Sequence, residues 1–116
     1  MTRYLHGIHD EGAESLHGDK PGWTVITEEV GLNPHAPGRD YTHISNRGIG
    51  VIVRLNHAYG SGGTIPTPDK YQQFAAACAS WAARSKGVDY YIVANEPNHE
   101  GERPNGIVIL PEDYAR

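Results

Sequence analysis

The sequence contains a single cysteine, Cys78, which excludes an internal disulfide framework. It has no apolar run near the roughly 18 residues that a membrane-spanning helix requires. The amino terminus lacks a charged segment followed by an apolar core, so we see no signal peptide and expect a cytoplasmic location by default. These absences favour a partner other than a membrane.

Basic residues are not in excess either. Lys and Arg number 10 and Asp and Glu number 14, which gives a net charge of −4 at pH 7. Nucleic-acid binding requires a clustered basic face, so we expect no nucleic-acid partner. The hydrophobic fraction of 38% and the charged fraction of 21% are typical of a globular chain. A length of 116 residues predicts one domain over residues 1–116.

Apolar and β-branched segments that alternate with helical stretches predict a parallel α/β sheet with right-handed crossovers. The predicted strands are residues 4–8, 23–27, 51–55 and 89–94. The predicted helical stretches are residues 11–17, 40–46, 68–86 and 110–116, and residues 107–110 are predicted to be extended. Trp23 begins a strand, so we expect it at the end of the sheet that favours stability over binding.

The clearest helix begins after Thr67, a good N-cap, with Pro68 in its first turn and Gly87 after its last turn. An apolar stripe repeats along it at helical spacing. The stripe consists of Tyr71, Phe74, Ala75, Cys78, Trp81 and Ala82. We therefore predict Phe74, Cys78 and Trp81 in the core, with Cys78 a buried thiol that has no catalytic partner.

The segment D-Y-Y-I-V-A-N-E-P-N at residues 89–98 organises the rest of the chain. Its continuous apolar run predicts a parallel strand buried on both faces. Pro97 ends the strand because it has no N–H to donate. Asn95, Glu96 and Asn98 are therefore predicted at the carboxyl edge of the sheet, where parallel α/β folds bind ligands.

Residues 92–98, I-V-A-N-E-P-N, resemble the acid/base motif on the fourth strand of the (β/α)8-barrel retaining glycoside hydrolases. The segment G-V-I-V-R-L-N at residues 50–56 is similar to the third strand of many such enzymes. The resemblance implies half of a TIM barrel, the N-terminal (βα)4 unit, because a complete barrel has ~250 residues. It implies that Glu96 is the general acid/base and that Asn95 binds the sugar hydroxyl next to the anomeric carbon. The family's nucleophile lies on the seventh strand, which these residues do not include.

Several polar residues near predicted strand ends are candidates for binding a carbohydrate substrate. Arg54 and Asn56 have the same parity on the third strand, and Arg54 can either brace Glu96 or form a structural ion pair. Tyr59 can stack on a sugar or pack on its own loop. The remaining candidates are His9, Asp10 and Asn98.

A glycosidase needs a second carboxyl group about 5–5.5 Å from the first for retention, or about 6.5–9.5 Å for inversion. The candidates that follow predicted strands are Asp10, Glu11, Glu28 and Glu29. None matches the family's nucleophile position.

A metal site at His6, His9 and Asp10 is disfavoured, because residues three apart on a strand point to opposite faces. We therefore expect no metal and no cofactor. A metal-dependent barrel hydrolase is a weaker alternative.

The main alternative to an enzyme is a non-catalytic carbohydrate-binding or structural half-barrel. Four parallel strands leave two open edges and an uncovered inner face. We therefore expect a homo-oligomer or pairing with a missing C-terminal half-barrel.

Overall fold

The computed structural model describes residues 6–115, which form one parallel sheet of four strands. The strands are β1 (Gly7–His9), β2 (Trp23–Glu29), β3 (Gly50–Asn56) and β4 (Tyr90–Val93). Their order in the sheet is β1-β2-β3-β4, and all three pairings are parallel. The predicted parallel α/β fold is therefore confirmed. Residues 4 and 5 of the first predicted strand lie outside the described residues.

Three α-helices accompany the sheet: α1 (Thr42–Ser45), α2 (Tyr71–Arg84) and α3 (Pro111–Tyr114). Short 3-10 turns occupy Ala13–His17, Gly60–Gly62, Pro68–Lys70, Glu100–Glu102 and Pro104–Gly106. The stretch predicted at residues 11–17 is thus a 3-10 turn. Residues 107–110 are outside any strand of the sheet. Within the described part of the chain, no helix has the length and apolar character needed to cross a bilayer.

One face of the sheet packs against α2. Alternate residues of β2 and β3 meet there, with Ile26 in register with Val53, and both are at most 1% exposed. The hydroxyl of Tyr91 on β4 donates to the carbonyl of Ala82 on α2 at 3.5 Å. From α2 the core takes Phe74, Ala77, Cys78 and Trp81.

The predicted core positions Phe74, Cys78 and Trp81 are confirmed, whereas Ala77 replaces the exposed Ala75 in the buried stripe. Burial raises the pKa of the Cys78 thiol to about 11.

The opposite face, called the open face below, carries Val25, Thr27, Ile52, Arg54, Tyr90 and Ile92. Right-handed crossovers between successive strands place the connecting helices on the other side. Tyr90 and Ile92 are accordingly exposed, and the other four side chains of this face are only partly buried. The open face is apolar toward the amino ends of the strands and polar toward their carboxyl ends.

An aromatic cluster closes the amino end of the open face. Trp23 begins β2, and its ring lies against the Cα of Gly50 so closely that no side chain fits there. The centroid of the Trp23 ring lies 5.8 Å from that of Tyr90. Trp23 therefore packs at the end of the sheet opposite the polar residues, as predicted from the sequence.

The prediction that the fourth strand is buried on both faces is wrong. The four side chains of β4 are 37–48% exposed, and of the predicted strand residues 89–94 only Ala94 is buried. β4 pairs with β3 along one edge, and its other edge has no partner strand among residues 6–115. Val93, on the face that packs against α2, is not covered either. It lines an apolar cleft of about 480 Å³ together with Phe74 and Tyr114. The composition of β4 is that of a buried strand, but residues 6–115 do not bury it.

Candidate functional site

Polar side chains gather at the carboxyl edge of the sheet, where each strand passes into a loop. Asn95 and Glu96 follow β4 directly, after Ala94 turns the chain with a left-handed φ of 63°. The other three strands are followed or ended by further polar side chains: His9, Asp10, Glu11, Glu28, Glu29, Asn56, His57 and Tyr59. The fold thus brings the predicted site residues to one edge, as parallel strands require.

The loop after β4 is held by Glu102, a residue that the sequence reading missed. Oε1 of Glu102 accepts a hydrogen bond from Nδ2 of Asn95 at 2.8 Å. Oε2 of the same carboxylate accepts one from the backbone N–H of Glu96 at 2.9 Å. One carboxylate therefore fixes the side chain of Asn95 and the peptide of Glu96. These two hydrogen bonds leave Oδ1 of Asn95 and the carboxylate of Glu96 available to contact a ligand.

The Glu96 carboxylate is exposed, and among residues 6–115 it forms no ion pair with Arg54. The acid–base groups around it are instead His99 and Glu102, and one ligand-type atom of each of the three lies within 4.8 Å of the others. The predicted brace between Arg54 and Glu96 is thus not formed. These four strands position Glu96 but do not enclose it.

The hydrogen bonds within this group fit a structural loop better than a metal centre. His99 Nδ1 accepts the N–H of Gly101 at 3.2 Å, which places the proton of a neutral imidazole on Nε2. A metal ligand nitrogen must be free of its proton, so a metal at Nε2 would require this tautomer and its hydrogen bond to Gly101 to change. At the position where the sequence disfavoured a metal, His9 Nδ1 lies 2.7 Å from Oδ1 of Asp10.

A second group, called the Arg39 cluster below, joins the loops that follow β1 and β2. The guanidinium of Arg39 donates to Oε1 of Glu28 at 2.8 Å and also bonds Oε1 of Glu11. The hydroxyl of the fully buried Tyr41 donates to the same Glu28 oxygen at 2.8 Å.

The Arg39 cluster changes the acid–base properties of its members. The hydrogen bond from Arg39 lowers the pKa of Glu11. Burial is the largest cause that raises the pKa of Tyr41, and the hydrogen bond to Glu28 is the second. Two of the four candidate carboxylates, Glu11 and Glu28, are therefore engaged in holding loops together.

A third group lies on the carboxyl half of the open face. Thr27 is in register with Arg54, and Glu29 is in register with Asn56. Nε of Arg54 and Oδ1 of Asn56 are buried, and neither has a hydrogen-bond partner within the described chain. Buried polar atoms are nearly always paired in folded proteins, so these two atoms mark a place where a partner is missing.

Tyr59 lies above this group in the loop after β3 and is 55% exposed. Burial is the main cause of the raised pKa of the Tyr59 hydroxyl. Glu29 and Glu28 raise the pKa further, whereas Arg54 lowers it. Tyr59 therefore shares one electrostatic environment with Arg54 and Glu29.

The loops after β3 and β4 form one hydrogen-bonded unit. The N–H of His57 donates to the carbonyl of Thr64 at 2.8 Å, and the N–H of Thr64 donates to the carbonyl of Glu102 at 3.1 Å. Gly63 lies so close to Pro104 that a Cβ would be 2.6 Å from the proline nitrogen. Tyr59 is thus attached to the loop that positions Glu96. The carbonyl of Asn98, an exposed residue, accepts a hydrogen bond from Arg103 at 3.0 Å.

Comparison with known proteins adds no relative: no protein-family model, curated protein or solved structure matches the chain significantly. The geometry of the carboxyl edge therefore has to carry the functional interpretation.

Proposed function

We propose that the chain is the first four βα units of a glycoside-hydrolase-like (β/α)8 barrel. Glu96 is its general acid/base for the hydrolysis of O-glycosidic bonds. One observation carries this proposal: Asn95, Glu96 and Pro97 follow the fourth strand of a parallel sheet whose order runs β1-β2-β3-β4. A doubly wound sheet reverses its strand order, whereas a barrel keeps the order of the sequence.

The open face supports a half-barrel. Parallel sheets occur almost only with both faces covered, because their crossover helices and neighbouring layers bury them. Here helices cover one face, and the other carries Ile52, Tyr90 and Ile92 with substantial exposure. In a closed barrel this face becomes the interior, which side chains from all strands fill in layers.

The proposed mechanism assigns each residue of the β4 loop a role. Glu96 donates a proton to the leaving oxygen and then accepts one from the incoming water. Asn95 offers Oδ1 to a sugar hydroxyl while Glu102 holds its Nδ2. The nucleophilic carboxylate comes from a strand beyond these four, about 5–5.5 Å from Glu96 in a retaining enzyme. These four strands alone therefore do not turn over substrate.

Association completes the barrel in this proposal. The unpaired edge of β4 and the open face are apolar and exposed, which makes them surfaces for pairing with another parallel unit. A second copy of the chain or a C-terminal half-barrel supplies the other four strands. Sedimentation velocity over a concentration series tests this, and a stable monomer at all concentrations contradicts it.

The second candidate function is a non-catalytic carbohydrate-binding half-barrel. It is favoured by the exposure of Glu96 and by the engagement of Glu11 and Glu28 with Arg39. The carboxylate beside Glu96, that of Glu102, already accepts two hydrogen bonds within the loop.

Hydrolysis of a panel of aryl glycosides, measured at concentrations at which sedimentation velocity shows the assembled protein, separates the two functions. The wild type is compared with Glu96→Gln and with the control Glu100→Gln, an exposed glutamate of the same loop. The enzyme predicts that Glu96→Gln lowers kcat/KM by about 100-fold or more and that the control does not. Glycoside binding without hydrolysis in all three proteins supports the binding module. Hydrolysis that is equal in all three overturns the role of Glu96.

A further inference from the structure

We propose that Arg54, Asn56 and Glu29 form a binding site for adjacent hydroxyl groups of a neutral sugar ring. The site lies on the carboxyl half of the open face. The inference rests on the proposed carbohydrate function and narrows its substrate class to uncharged sugars. It assigns a ligand-binding role to Glu29, which the sequence offered only as a candidate second carboxylate.

The buried Nε atom of Arg54 has no hydrogen-bond partner among residues 6–115. Its side chain is partly buried in the middle of β3, and its guanidinium forms no ion pair with residues 6–115. Its neighbours across the open face are Thr27 and Ile92, and neither is an anion. Withdrawing a charge from water without a partner costs free energy. A ligand that accepts hydrogen bonds removes this cost, because the planar guanidinium presents several donors in one direction.

Two hydrogen-bond acceptors, from Asn56 and Glu29, lie beside Arg54. Asn56 is 2% exposed with Oδ1 unpartnered, and the exposed carboxylate of Glu29 is its cross-strand neighbour. Neighbouring strands are about 4.8 Å apart, and residues two positions apart on one strand are about 6.6 Å apart. The donors of Arg54 and the acceptors of Asn56 and Glu29 therefore lie side by side, at a spacing that matches a small ring.

Adjacent sugar hydroxyls match this arrangement because each hydroxyl both donates and accepts. A hydroxyl oxygen accepts from Arg54 while its neighbour donates to Glu29 or Asn56. Tyr59, exposed in the loop above, supplies an aromatic face for the apolar side of the ring.

The charges around the site select a neutral ligand. Glu29 and Glu28 both act electrostatically on Tyr59, and Arg54 is the cation that opposes them there. Glu28 is paired with Arg39, so an anionic group such as a uronic acid carboxylate would gain one attraction, from Arg54, and meet one repulsion, from Glu29. A neutral ring uses the same donors and acceptors without that repulsion.

The test is an NMR titration of the full chain with methyl glucoside, galactoside and mannoside, and with methyl glucuronide as the anionic probe. We expect at least one neutral glycoside to bind more tightly than the glucuronide. Arg54→Met and Glu29→Gln should each weaken that binding about 10-fold or more. Arg54→Lys should bind with intermediate affinity because it keeps the charge and loses the planar fork.

Two matched variants control for net charge. Lys20→Met removes a cation from the turn before β2, and Glu112→Gln removes a carboxylate from α3; both residues are exposed and should leave affinity unchanged. Arg54→Met should keep or raise the melting temperature without ligand, because it removes an unpaired charge. Weaker binding at an undiminished melting temperature therefore cannot be a folding defect.

The failure of this inference and that of the proposed catalysis give different results. Binding that depends on Arg54, with no hydrolysis by any variant, supports the sugar site and overturns the catalytic role of Glu96. Hydrolysis lost in Glu96→Gln, with sugar affinity unaffected by Arg54→Met, supports the enzyme and overturns the site. Tighter binding of the glucuronide, or no binding of any neutral glycoside, overturns the site as well.

Discussion

Asn95 donates its side-chain amide to Glu102 at 2.8 Å, so a residue seven positions later holds the polar residue that begins the Asn-Glu-Pro segment. The other oxygen of Glu102 accepts the N–H of Glu96 at 2.9 Å. The loop between them contains Pro97, and this carboxylate holds its start together with the hydrogen bonds of His99 and Arg103 further along. Several testable properties of the chain arise from such local arrangements.

The substitution Glu102→Gln should loosen the loop after β4. A glutamine presents one acceptor and one amide group, so it cannot accept both hydrogen bonds, and a partly buried donor is left unpaired. We expect a loss of about 1–2 kcal/mol in unfolding free energy. Urea denaturation measures it, with Glu100→Gln as the control that should change stability by less than about 0.5 kcal/mol. Equal stability of the two variants would show that the clamp contributes nothing.

The substitution Gly50→Ala should destabilise the fold by about 1–3 kcal/mol, because the new methyl group has to displace the Trp23 ring. Thermal or urea unfolding measures the effect. A double variant with Trp23→Leu, which has no ring over Gly50, should lose less stability than the sum of the two single variants. Simple additivity would mean that the two residues do not contact each other in solution.

The ion pair of Arg39 with Glu11 should make stability depend on pH in the acidic range. The hydrogen bond from Arg39 lowers the pKa of Glu11 from its ordinary value of 4.5. The pair therefore stabilises the fold above pH 4.5, and this contribution disappears as the pH falls through the lowered pKa. Both side chains are more than a third exposed, so its size is at most about 1 kcal/mol.

Urea midpoints measured between pH 3 and pH 6 check this expectation. Arg39→Met should flatten the dependence of stability on pH. Arg47→Met should not, because Arg47 bonds the carbonyl of Gly18 and no carboxylate of residues 6–115. A steep dependence that survives in Arg39→Met would assign the acid sensitivity to other groups.

The substitution Ile92→Lys should reduce self-association and leave the fold intact. Ile92 is 41% exposed on β4, so the charge costs little in the separate chain and opposes burial in an assembly. Sedimentation velocity measures the shift toward monomer. Leu16→Lys, at a more exposed leucine in the turn after β1, is the matched control. Equal association of both variants would place the contact elsewhere.

The sequence predicted the four strands because β-branched runs, glycine and proline act locally, and their alternation with helices predicted parallel pairing. Helix α2 was predictable for the same reason, although Thr67 makes no side-chain cap hydrogen bond. Before α1, the carboxylate of Asp40 accepts the N–H of Thr42 at 2.9 Å, although Tyr41 is the N-cap residue of that helix.

Contacts between distant segments were not predictable in this way. Arg39 joins Glu11 and Glu28 across 28 and 11 positions, and no periodic pattern reports such a contact. Glu102 was missed because irregular loops have no repeat. The burial of β4 was predicted wrongly because its apolar composition is typical of an enclosed strand, whereas its exposure depends on what packs beside it.

The position of Trp23 makes the open face visible to spectroscopy. Trp81 is buried between α2 and the sheet, so its fluorescence reports on whether the core is intact. Trp23 lies partly exposed on the open face against Tyr90, so its emission responds to whatever covers that face. The two indoles therefore separate an assembly signal from an unfolding signal in a protein that needs no added dye.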